Sequence, residues 1–241
     1  MNILLTNDDG YDAPGLVAAF NALKPLGTVH VVAPRVECSA CSHTITLRRS
    51  MAVERRRHEL FGDAFAVGGS PADCVRLAVA ELIEEPIDLV VSGINRGANA
   101  GVDTYYSGTV AAAREAAFLG VKAIAVSQAI RTDVEIDWGL ATQTARGLVR
   151  QLAAESLPAP GFWNVNFPSP LTPDACDRVQ RVPVADHPTP LGFDRSEDGN
   201  GNTSFTYQSP YWSREANGAT DYAVVRDGGI AVTAIPLCGK F

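Results

Sequence analysis

Short apolar runs alternate with helix-patterned stretches from residue 3 to residue 167, and this alternation constrains the fold more than any other feature. Ile3–Leu5, Val29–Ala33, Ile87–Val91, Lys122–Val126 and Phe162–Phe167 have the mostly apolar, β-branched character of strands buried in a parallel sheet. Between them, Ala13–Leu23, Ser70–Ile83, Thr109–Leu119 and Trp138–Leu152 read as helices. Leu16, Phe20 and Leu23 share one helical side, and Pro14 suits a first turn. Ser70-Pro71 followed by Asp73 forms a cap, and Gly120 stops the alanine-rich stretch. Strands spaced by helices predict an α/β fold with βαβ units, a mostly parallel sheet and right-handed crossovers.

Two regions break this rhythm. Thr44–Val67 holds short β-like pieces and the basic run Arg55-Arg56-Arg57-His58, which reads as a solvated face or as a guide for phosphate-bearing substrates. From Pro168 onward proline and glycine become frequent. Asp194–Asn202 reads as a polar loop, and Tyr222–Val225 with Ile230–Ile235 around Asp227-Gly228-Gly229 as a hairpin. The division is therefore a core over residues 1–167 and a β-rich extension over residues 168–241.

The chain has 241 residues, 46% of them hydrophobic, enough for a large packed core. Its net charge of −7 argues against a nucleic-acid polymer or an anionic membrane as partner. No apolar run reaches the roughly 18 residues of a membrane span, and no secretory leader is evident, so the expected location is cytoplasmic. Five cysteines without framework spacing fit reduced thiols, and the lone C-x-x-C at Cys38 and Cys41 lacks the second pair a zinc site wants.

In a parallel sheet, ligands bind outside the carboxyl ends of the strands. The first strand ends in Asp8-Asp9-Gly10, which on its own supports an ordinary turn and a metal site equally. Ser39 follows the second strand, and Asn95 follows the strand at Ile87. Two carboxylates, a hydroxyl and a carboxamide favour a hard cation over zinc. Ser107-Gly108-Thr109 opens the alanine-rich helix, either as a plain N-cap or as a phosphate seat. Asp12 reads as a helix cap, Asn7 as a turn-shaping residue, His30 as structural, and His43, His58 and His187 as solvated loop residues.

The segments Ile3–Gly15, Val31–Pro34 with Ser39, Gly69–Val75, Val91–Asn99, Tyr106–Ala111, Ile124–Ser127, Asn164–Pro168, Thr220–Ala223 and Ile235-Pro236-Leu237 run in order along nearly the whole chain. In these the chain resembles the SurE family, survival proteins that are metal-dependent nucleotide phosphatases. The resemblance implies a Rossmann-like core with a β-rich C-terminal extension. It implies one divalent cation per subunit, Mg²⁺ or Mn²⁺ with Ca²⁺ a third choice, held by Asp8, Asp9, Ser39 and Asn95. It implies a 5′-nucleotidase acting on nucleoside 5′-monophosphates, with 3′-monophosphates and short polyphosphate as further substrates, and a homodimer or homotetramer that exchanges C-terminal segments. Asp8, Asp9 and Asn95 are then the catalytic candidates, and Asn95, Ser107, Gly108 and Thr109 the phosphate-binding ones. Ala40-Cys41 stands where the family has glycine after Ser39, His43 replaces a small polar residue, and Pro188–Asn217 matches poorly. The rival readings are a receiver-like module and a nucleotide-binding regulatory module without turnover. Gly10, where haloacid-dehalogenase phosphatases carry a second aspartate, argues against Asp8 as a covalent nucleophile.

Overall fold

The computed structural model describes residues 1–157, 160–188, 190–208, 211–216 and 218–237. In chain order the elements are β1 (Asn2–Thr6), α1 (Pro14–Leu23), β2 (Thr28–Pro34), β3 (Val53–His58), β4 (Gly62–Val67), α2 (Pro71–Leu77), β5 (Leu89–Arg96), α3 (Asp103–Tyr106), α4 (Gly108–Phe118) and β6 (Lys122–Gln128). They continue with α5 (Trp138–Ala154), β7 (Gly161–Phe167), α6 (Pro173–Cys176), β8 (Val179–Arg181), β9 (Gly192–Glu197), β10 (Thr203–Gln208), α7 (Asp221–Arg226) and β11 (Ile230–Pro236).

Nine of these strands form one sheet in the order β3-β4-β2-β1-β5-β6-β7-β11-β8, and β9 and β10 pair apart from it. From β4 through β7 every pairing is parallel, and β3 and β11 add antiparallel partners to β4 and β7. The mostly parallel α/β sheet expected from the sequence is therefore present. Alternation along β1 sends Ile3 and Leu5 into one core and Leu4 into the other. α1 and α5 cover the first face, and α2 and α4 cover the second. Ala111, Ala112, Ala113 and Ala116 of α4 are fully buried, so this helix lies close against the sheet. Its N-terminus thereby reaches the carboxyl end of β1. No helix among the described residues is long and apolar enough to cross a membrane.

Several local expectations are corrected. The strand expected over Ile87–Val91 does not stop there but runs from Leu89 on to Arg96, through a register shift against β6 between Ser92 and Asn95. Gly93 serves close packing here: at φ +136°, a Cβ would stand 2.2 Å from the Val126 carbonyl oxygen. The helix from Ser70 ends as α-helix at Leu77 and closes through a wider turn over Ala78–Leu82. The hairpin expected around Asp227-Gly228-Gly229 is α7 followed by β11. Thr220 caps the helix by accepting from the Ala223 N–H, and Gly228 at φ +80° ends it, with the Gly229 N–H donating to the Val224 carbonyl at 2.9 Å. The turn signal was a helix stop, and capping overrode the β-propensity of Tyr222–Val225. A hairpin does occur earlier, where β9 and β10 pair across Asp198–Asn202, part of the stretch expected as loop. Ala13, not Asp12, occupies the cap position of α1, and no side chain caps that helix.

The basic run lies on the edge strand β3. Arg55 pairs with Asp63 at 2.7 Å and Arg56 with Glu54 at 2.7 Å, charges that discourage edge-to-edge association. Gly93→Ala is expected to lower stability by about 3 kcal/mol or more, because it adds both backbone strain and a clash with β6. Urea unfolding measures this, and a loss below about 1 kcal/mol would contradict the close-packing role of Gly93.

Candidate active site

β1 delivers Asp8 and Asp9 to the carboxyl edge of the sheet. The Asn7 side-chain amide donates to the Gly10 carbonyl at 2.8 Å, closing the turn, and the Cys38 N–H donates to the Asp8 carbonyl at 2.7 Å. Asp8 is 4% exposed. Its Oδ2 accepts the Thr109 N–H at 3.0 Å, and its Oδ1 accepts the Thr109 hydroxyl. The N-terminus of α4, with its unpaired N–H groups and partial positive charge, thus faces the buried carboxylate. Gly108 is required by this approach, since a Cβ there would stand 2.8 Å from Cys41 Sγ and 2.9 Å from Asp8 Cβ. Asp9, half-buried, accepts the Arg96 N–H on Oδ2 at 2.9 Å. The end of β5, which supplies Asn95 and Arg96, is thereby tied to the end of β1.

Burial is the main force on both acids. It pushes Asp8 up to about 6, with the neighbouring charge of Asp9 adding and the Thr109 hydrogen bonds opposing. Asp9 is raised by burial and by Glu37, against the Arg96 N–H and guanidinium. Two like charges partly withdrawn from water call for a positive partner. The remaining oxygens suit a hard cation. The Asn95 side-chain nitrogen donates to the Gly97 carbonyl at 2.7 Å, which leaves its carbonyl oxygen available. The Ser39 hydroxyl donates to Glu37 Oε1 at 2.5 Å, leaving lone pairs on Ser39 free. Among the described residues no three His, Cys, Asp or Glu side chains cluster at metal-ligating distance, so beyond the two aspartates the donors are neutral oxygens. The set fits a divalent cation of the oxygen-preferring class.

A cavity of about 240 Å³ opens over this edge, with Asp8, Ser39, Asn95 and Ser107 in its wall. Asp9, Gly108 and Thr109 stand at the same edge without lining it. Of the three helix-start residues, Thr109 spends both donors on Asp8, and the Ser107 N–H goes to the Asp103 carbonyl at 3.0 Å. The Gly108 N–H keeps no partner among the described residues. The Ser107 hydroxyl oxygen caps the helix by accepting the Val110 N–H at 3.0 Å, and its proton is left to donate.

The wall also contains residues that sequence reasoning missed. Asp103, Tyr211 and Arg214 line it, and Arg214 holds Asp103 through two contacts of 2.6 and 2.9 Å. Tyr211 and Arg214 come from Pro188–Asn217, where neither periodicity nor motif gave a signal. Behind the site, the Asn99 backbone is gripped by Asn166 Oδ1 at 2.7 Å and the Asn164 side-chain nitrogen at 2.8 Å. The Asn99 side chain donates to Ser127 Oγ at 2.8 Å. These buried polar ends of β6 and β7 fix the loop after β5.

Cys38 and Cys41 are both free thiols. Burial raises both, Cys41 to about 11, so neither is a thiolate nucleophile at neutral pH. The expected solvation of His43 and His58 does not hold. His43 Nε2 lies 2.7 Å from Oε2 of Glu115, a buried carboxylate that also accepts from Arg76 at 2.8 Å and draws the ring inward. His58 stacks on Phe61 at 3.6 Å.

Known proteins resemble this chain along nearly its whole length. Residues 3–187 match the family model described as Survival protein SurE. The chain is 39% identical to the 5′-nucleotidase SurE of Rhodopirellula baltica, over 98% of this chain and 92% of that one. It is 39% identical to the 5′-nucleotidase SurE of Heliobacterium modesticaldum, over 98% and 86%. The crystal structure of a SurE protein from Aquifex aeolicus superposes with a TM-score of 0.83 at 32% identity, covering 99% of this chain and 94% of that one.

If the paired acids hold a cation, Mg²⁺ or Mn²⁺ at about a hundred times its Kd raises the unfolding free energy by about 2.7 kcal/mol, and Asp8→Asn loses that increment while remaining folded. Thermal unfolding with and without a chelator reads it. An unchanged metal response in the variant would contradict the assignment.

Proposed function

This chain belongs to the SurE family, and from the groups gathered at its strand ends we propose that it is a metal-dependent phosphomonoesterase. Its substrates are nucleoside 5′-monophosphates, with 3′-monophosphates and short polyphosphate in second place, and its products are nucleoside and inorganic phosphate. The observation that carries this reading is the buried Asp8 carboxylate set against the N-terminus of α4, beside an unpartnered Gly108 N–H. Such an arrangement offers a cation seat and an anion seat side by side.

Asp8, Asp9, Ser39 and Asn95 would hold one divalent cation per subunit, Mg²⁺ or Mn²⁺ by preference. When bound, such a cation supplies Lewis acidity at the phosphoryl group and a lowered pKa for attached water. The Gly108 N–H, the Ser107 hydroxyl and the second N–H of the Asn95 amide hold phosphoryl oxygens and stabilise the charge that develops on them. Thr109 contributes by orienting Asp8. Asp9 orients the attacking water through the carboxylate oxygen that Arg96 leaves free. The water oxygen adds to phosphorus and gives up one proton, the bond from phosphorus to the ester oxygen breaks, and the departing nucleoside oxygen takes up one proton, so that one water is consumed for each phosphate released.

A receiver-like module would need an acceptor acid at the end of the third strand of the core. Asn95 stands there, and the further acid on the cavity wall, Asp103, is held by Arg214. That favours turnover over stable phosphorylation. Asp8→Asn is expected to lower metal-dependent phosphate release from a nucleoside 5′-monophosphate by at least about a hundredfold, with the fold intact by circular dichroism. Near-normal release would defeat the assignment.

We also propose that the enzyme is a cytoplasmic homodimer or homotetramer that associates through the extension over residues 168–241. The β9–β10 hairpin pairs with no other described strand and exposes Leu191, Phe193, Phe205 and Tyr207, although an isolated two-stranded hairpin is marginal in water. A second copy of the chain would cover these side chains. Replacing Phe193 and Phe205 together with serine is expected to shift the light-scattering mass from the oligomer to the monomer. An unchanged mass would remove the hairpin from the interface.

A further inference from the structure

A second cavity of about 560 Å³ lies beside the polar one, and Ala98 and Tyr211 belong to the walls of both. The first is lined by charged and hydrogen-bonding groups. The second is bounded by Gly97, Ile130 and the side chains of Arg131 and Trp212. Its size falls in the range of small-molecule sites. The 240 Å³ cavity suits a phosphoryl group, which leaves the rest of a nucleotide to be housed elsewhere.

Arg131 and Trp212 form a fixed pair. The indole N–H of Trp212 donates to the Ile130 carbonyl at 3.0 Å, and Nε of Arg131 donates to the Ser169 carbonyl at 3.0 Å. With both groups anchored to backbone, the guanidinium carbon sits 4.2 Å from the Trp212 ring centroid. The terminal nitrogens of Arg131 have no hydrogen-bond partner among the described residues. Tyr211 meets Trp212 edge-on, with ring centroids 5.0 Å apart. A flat guanidinium on an indole, held before any ligand arrives, is a stacking surface for an aromatic heterocycle, with spare N–H groups for its acceptor atoms.

We propose that this cavity is the nucleoside subsite. The base stacks on the Arg131–Trp212 pair, the ribose passes Ala98 and Tyr211, and the phosphate reaches Asp8, Asn95 and Ser107. This rests on the nucleotide reading above and makes Arg131 and Trp212 residues that select for a base. The larger cavity that also borders Arg96 and Arg131 is less suited, because Asp133 and Glu135 line it and it presents no pre-stacked pair.

The test compares adenosine 5′-monophosphate with ribose 5-phosphate, which has the same phosphoester and no base, in the unaltered chain, Arg131→Ala and Trp212→Leu. Loss of one stacking partner is expected to raise KM for the nucleotide about tenfold with kcat within about twofold, while kcat/KM for ribose 5-phosphate changes less than about twofold. Parallel losses on both substrates, or unchanged nucleotide kinetics in both variants, would overturn the proposal. Adenosine alone is also expected to quench tryptophan fluorescence in the unaltered chain and not in Trp212→Leu. If the unaltered chain released no phosphate from any nucleotide, the proposed function would fail, and the adenosine quench would still decide the subsite. Its absence would overturn it.

Discussion

The structure depends on one contact across the sheet edge, the buried Asp8 carboxylate against the first turn of α4. An ionised carboxylate that is 4% exposed is costly unless hydrogen-bonded. Thr109 supplies two donors, and the helix terminus adds favourable potential. That contact sets the distance between β1 and α4, requires glycine at 108, and brings Cys41 and the Ser39 loop alongside. Burial still pushes the pKa of Asp8 up to about 6, so the hydrogen bonds offset the desolvation only in part. The shortfall is what a cation would relieve. Structure and proposed chemistry thus share one cause: the fold holds two acids where water satisfies them only in part.

The parallel core was legible because its signals are local and redundant. β1, β2, β5, β6 and β7 are apolar runs, and the helices between them carry caps or stops that the chain obeys, as at Ser70 and Asp73. The oxygen-donor residues were legible for a related reason. In a parallel sheet the topology, rather than sequence distance, gathers strand ends, so Asp8 and Asn95 could be placed together before any contact was known. What the sequence hid was the path between Ser92 and Asn95, where a glycine reads as a stop but serves a close pass beside Val126.

Within the C-terminal part, Tyr222–Val225 was misread as strand because its order comes from tertiary contacts. Asp221 is fully buried and accepts the N–H groups of Gly101 at 2.9 Å and Ala185 at 2.8 Å, binding α7 to the loop after β5. Nothing in the residues Thr220–Val225 announces those partners, and their β-branched content points to a strand. Tyr211 and Arg214 were invisible for the same reason, since their meaning lies in Asp103, far away in sequence. Tyr211 and Arg214 close one side of the cavity, and Asp221 holds the loop after β5 at Gly101.

On the proposed reading, a cation held by the Asp8-Asp9 pair lets this acidic chain hydrolyse nucleotides. The most direct measurement is phosphate release from a nucleoside 5′-monophosphate by the purified chain, first with a chelator and then with Mg²⁺ or Mn²⁺ restored. Release is expected to stop under chelation and to return with the metal. Release unaffected by the chelator, or none with either metal, would contradict it.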